Sequence, residues 1–192
     1  MSKPLERDFY DRAPIDVARD LLGAILVRRL GRTAAMGRIV EVEAYLAKDD
    51  PANHAFRGPT RRNASMFGPA GHAYVYAIHA RYCLNVVTEP EGVASAVLIR
   101  AVEPLAGIDV MRRRRRREKL TDLCRGPARL CEAFAIDRGL DGWDVTLGKT
   151  LWLEPGERIA GGRIATASRV GVTKAQDLPL RFYVRDCPFV SR

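Results

Sequence analysis

The sequence predicts a mixed α+β fold built on a mainly antiparallel sheet. Three observations carry this. Apolar runs of strand length follow one another across short turns, a connection open only to antiparallel neighbours. Residues 13–23, APIDVARDLLG, read as an amphipathic helix. And 47% of the 192 residues are hydrophobic, enough for a substantial core in a chain of one-domain length, so residues 1–192 read as a single domain.

The elements follow in order. The first helix has Pro14 near its start, apolar Ile15, Ala18, Leu21 and Leu22, and Gly23 as its stop. AILVRRL (24–30) reads as a strand, GRT as a turn and residues 35–45 as the next strand. Residues 47–72 form a long loop, rich in Pro, Gly and Arg; a loop of this length in a compact domain usually serves function. AYVYAIHARYCLNVVT (73–88) is strand-like, with the polar HAR at 79–81 as a hairpin tip. After a turn at 89–92, residues 94–105 form another strand. Residues 107–120 and 127–136 read as helices, and short apolar runs at 150–153, 163–166 and 180–185 as strands.

Charge narrows the partners. There are 32 Lys+Arg against 23 Asp+Glu, a net +9 with a pI near 9.8. Such a balance favours a polyanion, most commonly nucleic acid. No stretch approaches the ~20 apolar residues of a membrane span, and the start has no apolar run of signal-peptide length. An intracellular, cytoplasmic protein without a membrane partner is expected. The four cysteines form no Cys-x-x-Cys pair and the three histidines lie far apart, so buried free thiols are expected rather than a zinc site or disulfides.

Chemistry concentrates in RIVEVEAYLA (38–47). On a strand, Val40, Val42, Ala44 and Leu46 face one way and Glu41, Glu43 and Tyr45 the other. Carboxylates at i and i+2 lie roughly 6.5–7 Å apart. That spacing suits a general acid/base pair, a divalent metal site, or simply a solvated strand face. A metal site would want further acids; Asp49 and Asp50 follow, but in loop beside Pro51. Tyr45, Phe56, Phe67, Tyr74, Tyr76 and Tyr82 interleave with Arg57, Arg61, Arg62 and Arg81, a mixture suited to stacking on bases while holding phosphates. The RRRRRR run at 112–117 points all round its helix, as a solvated face or a non-specific phosphate contact. Gly126-Pro127 opens a helix whose N-terminus offers N–H groups to a phosphate, a weak signal. Phosphate-loop, dinucleotide and G-x-S-x-G motifs are absent. Residues alone lead to a basic α+β domain, directed to nucleic acid, with an acidic and aromatic cleft.

EVEAYL, NHAFRGPTRRNASMFGPAGHAYVY, YCLNVVT, VLIRAVEPL, LCRGPARLCEAFAI and PLRFYVRDCPFVS stand in this order across residues 7–191. Together they resemble the alkyladenine (3-methyladenine) DNA glycosylase family. The resemblance implies a curved antiparallel sheet with flanking helices and a protruding hairpin that inserts into DNA. It further implies that damaged double-stranded DNA is the partner, that a monomer flips an alkylated or deaminated purine into a pocket, and that no metal or cofactor is used. It places the general base at Glu43 and a water-holding role at Arg100. Tyr45, His54, Tyr76, Asn85 and Leu98 match the base pocket, with Asn85 screening the exocyclic amino group. The arginines at 57, 61 and 62 match DNA-backbone contacts. His79 stands at the hairpin tip where the family usually has a tyrosine, and His79 to Asn85 is one residue shorter than in some relatives. A metal-dependent nuclease using Glu41 and Glu43, or a non-catalytic nucleic-acid binder on the same scaffold, are the rival expectations.

Overall fold

The computed structural model describes residues 3–78 and 80–191. Two short helices, α1 (Arg7–Tyr10) and α2 (Pro14–Leu21), precede strands β1 (Ile25–Leu30) and β2 (Thr33–Tyr45). After the long loop come β3 (Ala73–Ile78), β4 (Arg81–Thr88) and β5 (Ser95–Ala106), then helices α3 (Ile108–Arg115) and α4 (Pro127–Phe134). Strands β6 (Leu151–Glu154), β7 (Ile164–Ala167) and β8 (Arg181–Val184) close the chain. One eight-stranded sheet results, in the order β3-β4-β5-β2-β1-β6, with β8 on β2 and β7 on β8. All of these pairings are antiparallel.

The alternation read in the sequence sorts the two faces. Ala44, Val97, Val86 and Ala73 form one row across β2, β5, β4 and β3, and all four are buried in the main core beneath the helices. That core takes Val17, Ala18 and Leu21 from α2 and Leu130, Cys131, Ala133 and Phe134 from α4. Gly23 stops α2 as expected: its φ is +92°, and a Cβ there would lie 2.0 Å from the Glu157 carbonyl oxygen. The opposite face carries the row Glu43, Leu98, Asn85 and Tyr74. It is not solvated. A second cluster, with Met66 from the long loop and Tyr74, Val87 and Ala96 from the sheet, covers part of it. Both Glu41 and Glu43 are fully buried, which removes the solvated-face reading of this strand.

The ladder between β2 and β5 is irregular where it matters. Glu41 pairs with Ala101 and Val42 with Ile99, so Arg100 is an extra residue on β5. Such a bulge re-aims a side chain and strengthens local twist. Here it sends Arg100 to the two carboxylates of β2.

The end of α3 differs from expectation. The helix expected over 107–120 ends at Arg115, because Arg116 takes a left-handed conformation (φ 50°) whose N–H returns to the Arg112 carbonyl. Nor is the arginine run a uniformly solvated face. Arg112 pairs with Asp109, Arg114 donates to the Ala133 carbonyl at 3.0 Å, and Arg115 holds Glu132 and the Leu123 carbonyl. Arg113, Arg116 and Arg117 remain exposed. The short α1 was not anticipated, since four residues carry too little periodicity to show.

Candidate active site

Glu43 is the acid nearest the cleft through its contacts with Tyr45, Arg100 and Val170. Its Oε1 forms an ion pair with Arg100 Nη1 at 3.0 Å and accepts the Val170 backbone N–H at 2.7 Å. Its Oε2 accepts the Tyr45 hydroxyl at 2.9 Å. A carboxylate offers about four lone-pair positions; two accept hydrogen bonds here, beside the Arg100 ion pair. Tyr45, Leu98, Arg100 and Val170, which enclose Glu43, all line a cleft of about 400 Å³.

Glu41 has a different environment. Its Oε1 accepts from Arg100 Nε at 2.9 Å, Arg181 Nε at 2.7 Å and the Ser191 hydroxyl at 2.8 Å, while Oε2 accepts the Ser191 N–H at 2.6 Å. Neither acid itself lines a cleft around the site: Glu43 sits directly behind Tyr45, Arg100 and Val170, whereas Glu41 is closed off by Arg181 and Ser191 of the C-terminal segment. Asp50 is similarly committed, held by both Nη atoms of Arg169 at 2.6 and 2.7 Å. Glu41 and Asp50 are thus neutralised by arginine, and no three His, Cys, Asp or Glu side chains among the described residues gather as a metal-holding group. The metal-dependent nuclease reading finds no support in this arrangement.

Protonation preferences follow from the surroundings. Burial, and then the charge of Glu43, push the Tyr45 phenol upward, so it stays a neutral donor. Burial pulls the Arg100 guanidinium down, but Glu43 and Glu41 outweigh it and the net shift is upward. Burial lowers the pKa of His54, whose Nδ1 lies 2.9 Å from the Tyr74 hydroxyl.

The aromatic wall forms as expected on β3. Tyr74 and Tyr76 share one strand face and stack at 5.4 Å with 28° between planes. His54, at the start of the long loop, meets Tyr76 edge-on at 4.4 Å. Tyr45, His54 and Tyr76 line the cleft together, with Leu98 on its floor. Asn85 lies deeper: it is buried, donates to the Tyr74 carbonyl at 3.0 Å, and borders a small recess shared with Tyr45, His54 and Tyr76. Arg62 lies outside this cleft, in an adjoining groove of about 800 Å³ that also holds Thr60 and Arg138. Arg57 and Arg61 are exposed and border neither cavity. His79, the expected hairpin tip, lies outside the described residues.

The residues matched to one family extend over nearly the whole chain: its sequence matches the model of the methylpurine-DNA glycosylases over residues 8–188. The chain belongs to the methylpurine-DNA glycosylase family. Relatives within it are close. A protein of Carboxydothermus hydrogenoformans is 47% identical over 189 residues, 98% of both chains. One of Methanoculleus marisnigri is 49% identical over 187 residues, 96% of both, and one of Mesorhizobium japonicum is 49% identical over 189 residues, 98% of this chain and 90% of its own. All three carry the name "Putative 3-methyladenine DNA glycosylase".

Several contributors to this glycosylase-family site were not apparent in the sequence. The segment 170–174, including Val170 and Lys174, forms one lip of the cleft. Val170 acts through its backbone N–H, which has no residue-type signature. Cys83 also lines the cleft, placed there by pairing with Tyr76. Pro127, already singled out in the sequence as the opening of a helix, reaches the same rim and brings the start of α4 to it.

Proposed function

We propose that this protein is a monofunctional DNA glycosylase: it flips an alkylated or deaminated purine out of duplex DNA and hydrolyses its N-glycosidic bond, initiating base-excision repair. One observation carries the mechanism. Glu43 is a buried carboxylate held by two hydrogen-bond donors and the Arg100 ion pair, with lone-pair positions to spare, directly behind residues that line the cleft. A water held there by Glu43 and Arg100 attacks the anomeric carbon as the carbon–nitrogen bond breaks. The proton released from the water goes to Glu43, and the bonding electrons leave with the purine. A 3-methylated adenine is cationic before cleavage and departs neutral.

The aromatic residues around the cleft support a pocket for such a base. Tyr76 stacks on one face and Tyr45 and His54 wall the other side. An electron-poor, alkylated purine gains cation–π attraction from these rings. Asn85, in the recess behind them, screens the exocyclic amino group, while Leu98 packs beneath the flipped nucleotide. His79, at the hairpin tip, fills the space that the base vacates. Arg57, Arg61 and Arg62 hold phosphates, and their charge belongs to the general basic balance of the chain. The enzyme acts as a monomeric single domain on damaged double-stranded DNA, without a metal or cofactor.

The test uses duplexes carrying hypoxanthine, ethenoadenine or 3-methyladenine, incubated in excess EDTA. Free base is expected, with the strand intact until the abasic site is cleaved chemically. Strand scission that EDTA abolishes, without base release, would identify a nuclease instead. Binding without base release would identify a non-catalytic protein.

A further inference from the structure

Behind the cleft, Asp50 and Arg169 form a bidentate ion pair in which both side chains have no exposed surface. They come from opposite lips. Asp50 also accepts the Leu46 and Ala52 N–H groups, at 3.0 and 3.2 Å, fixing the turn that carries Pro51, Ala52 and His54 to the cleft. Arg169 precedes Val170, the residue whose N–H reaches Glu43 at 2.7 Å. Its guanidinium lies 4.6 Å over the Tyr45 ring and Nη1 donates to the Ala44 carbonyl at 3.1 Å, on the backbone between Glu43 and Tyr45.

Stability does not account for this pair. Two charges taken fully out of water lose hydration that their attraction barely restores, and apolar residues of similar volume commonly pack as well or better. The Arg169 Nε moreover finds no partner among the described residues. What the pair does supply is direction: one planar, forked cation ties both lips, the Tyr45 ring and the β2 backbone in a single geometry.

We infer that Asp50 and Arg169 are a positioning pair for the hydrolytic site, setting the Val170 N–H on Glu43 and the ring of Tyr45 against the flipped base. This rests on the function proposed above. The pair touches neither base nor water and acts through Val170, Glu43 and Tyr45.

The test compares wild type with Arg169→Lys, Arg169→Met and the double variant Asp50→Leu/Arg169→Met. Three quantities are read: thermal unfolding, affinity for lesion duplex, and single-turnover base release. Hydrogen exchange at the Val170 amide is followed without DNA. The double variant is expected to unfold within a few degrees of wild type and to bind lesion duplex within about threefold, yet to release base roughly 10–100-fold more slowly. Val170 amide protection should fall in parallel, and Arg169→Lys should retain more of the rate than Arg169→Met. A double variant with wild-type rate and wild-type Val170 protection would overturn the inference. So would a rate that merely tracks unfolding temperature across the series. If wild type releases no base from any duplex, the functional reading fails instead, and the Val170 protection alone then decides whether the pair positions this segment.

Discussion

Arg100 places Nη1 3.0 Å from Oε1 of Glu43, and the same guanidinium turns Nε toward Glu41 at 2.9 Å. One bulged cation therefore serves two carboxylates in different surroundings. Glu43 shares its remaining positions with cleft residues, whereas Glu41 is saturated by Arg181 and Ser191.

Glu41 should accordingly prove structural. Glu41→Gln leaves Arg100 and Arg181 without their shared counter-charge in a buried site, a loss of about 3–5 kcal/mol. For a chain of this size each kcal/mol moves the unfolding midpoint by about 2–4 °C, so a fall on the order of 10 °C is expected in a thermal scan. An unchanged midpoint would show that the network around Ser191 and Arg181 does not brace the sheet.

Tyr45 joins the acid to the pocket. Tyr45→Phe removes the donor to Glu43 Oε2 while keeping the ring under Arg169. A hydrogen bond to a charged group contributes about 1.5–3 kcal/mol, and each ~1.4 kcal/mol lost from the transition state slows a reaction tenfold. Single-turnover base release should slow by roughly tenfold or more, with lesion affinity nearly unchanged. A variant that loses affinity and keeps its rate would make Tyr45 a wall only.

The aromatic site also fixes a pH response. Burial lowers the pKa of His54, so folding favours its neutral form. Stability from this group is fully present above the ordinary histidine value near 6.5 and is lost as pH falls through the lower, folded value. Burial and Glu43 raise the Tyr45 phenol, so its contribution holds below about pH 10 and declines only above that. NMR titration of His54 should give a midpoint below 6.5; a midpoint at or above it would contradict the packing of the ring edge-on against Tyr74 and Tyr76.

The arginines of the long loop should act on affinity rather than chemistry. Replacing Arg57, Arg61 or Arg62 with Gln is expected to lower the slope of log affinity against log salt by about 0.9 for each phosphate contact removed. Base release from saturated complex should stay the same. A changed rate at saturation with an unchanged salt slope would place that arginine in the pocket instead.

Much of this architecture was legible in the residues because it rests on local pattern. The β1–β2 hairpin and the Tyr74/Tyr76 face follow from alternation and turn spacing. The remainder depends on contacts that no local pattern encodes. Val170 reaches Glu43 from 127 positions away in the chain through a backbone N–H. The Arg100 bulge arises from a register shift between two strands, not from residue type. The inward turn of Arg114 and Arg115 depends on where α4 ends, so a run of six arginines looks uniform in sequence while serving two ends in the fold.

The assignment of Glu43 is tested most directly by base release from lesion duplex with wild type and Glu43→Gln, measured under single turnover with lesion affinity and unfolding followed in parallel. Wild type should liberate the damaged purine, while Glu43→Gln should bind the same duplex, stay folded and release base at least ~100-fold more slowly. Release by Glu43→Gln at the wild-type rate would contradict a Glu43-activated water.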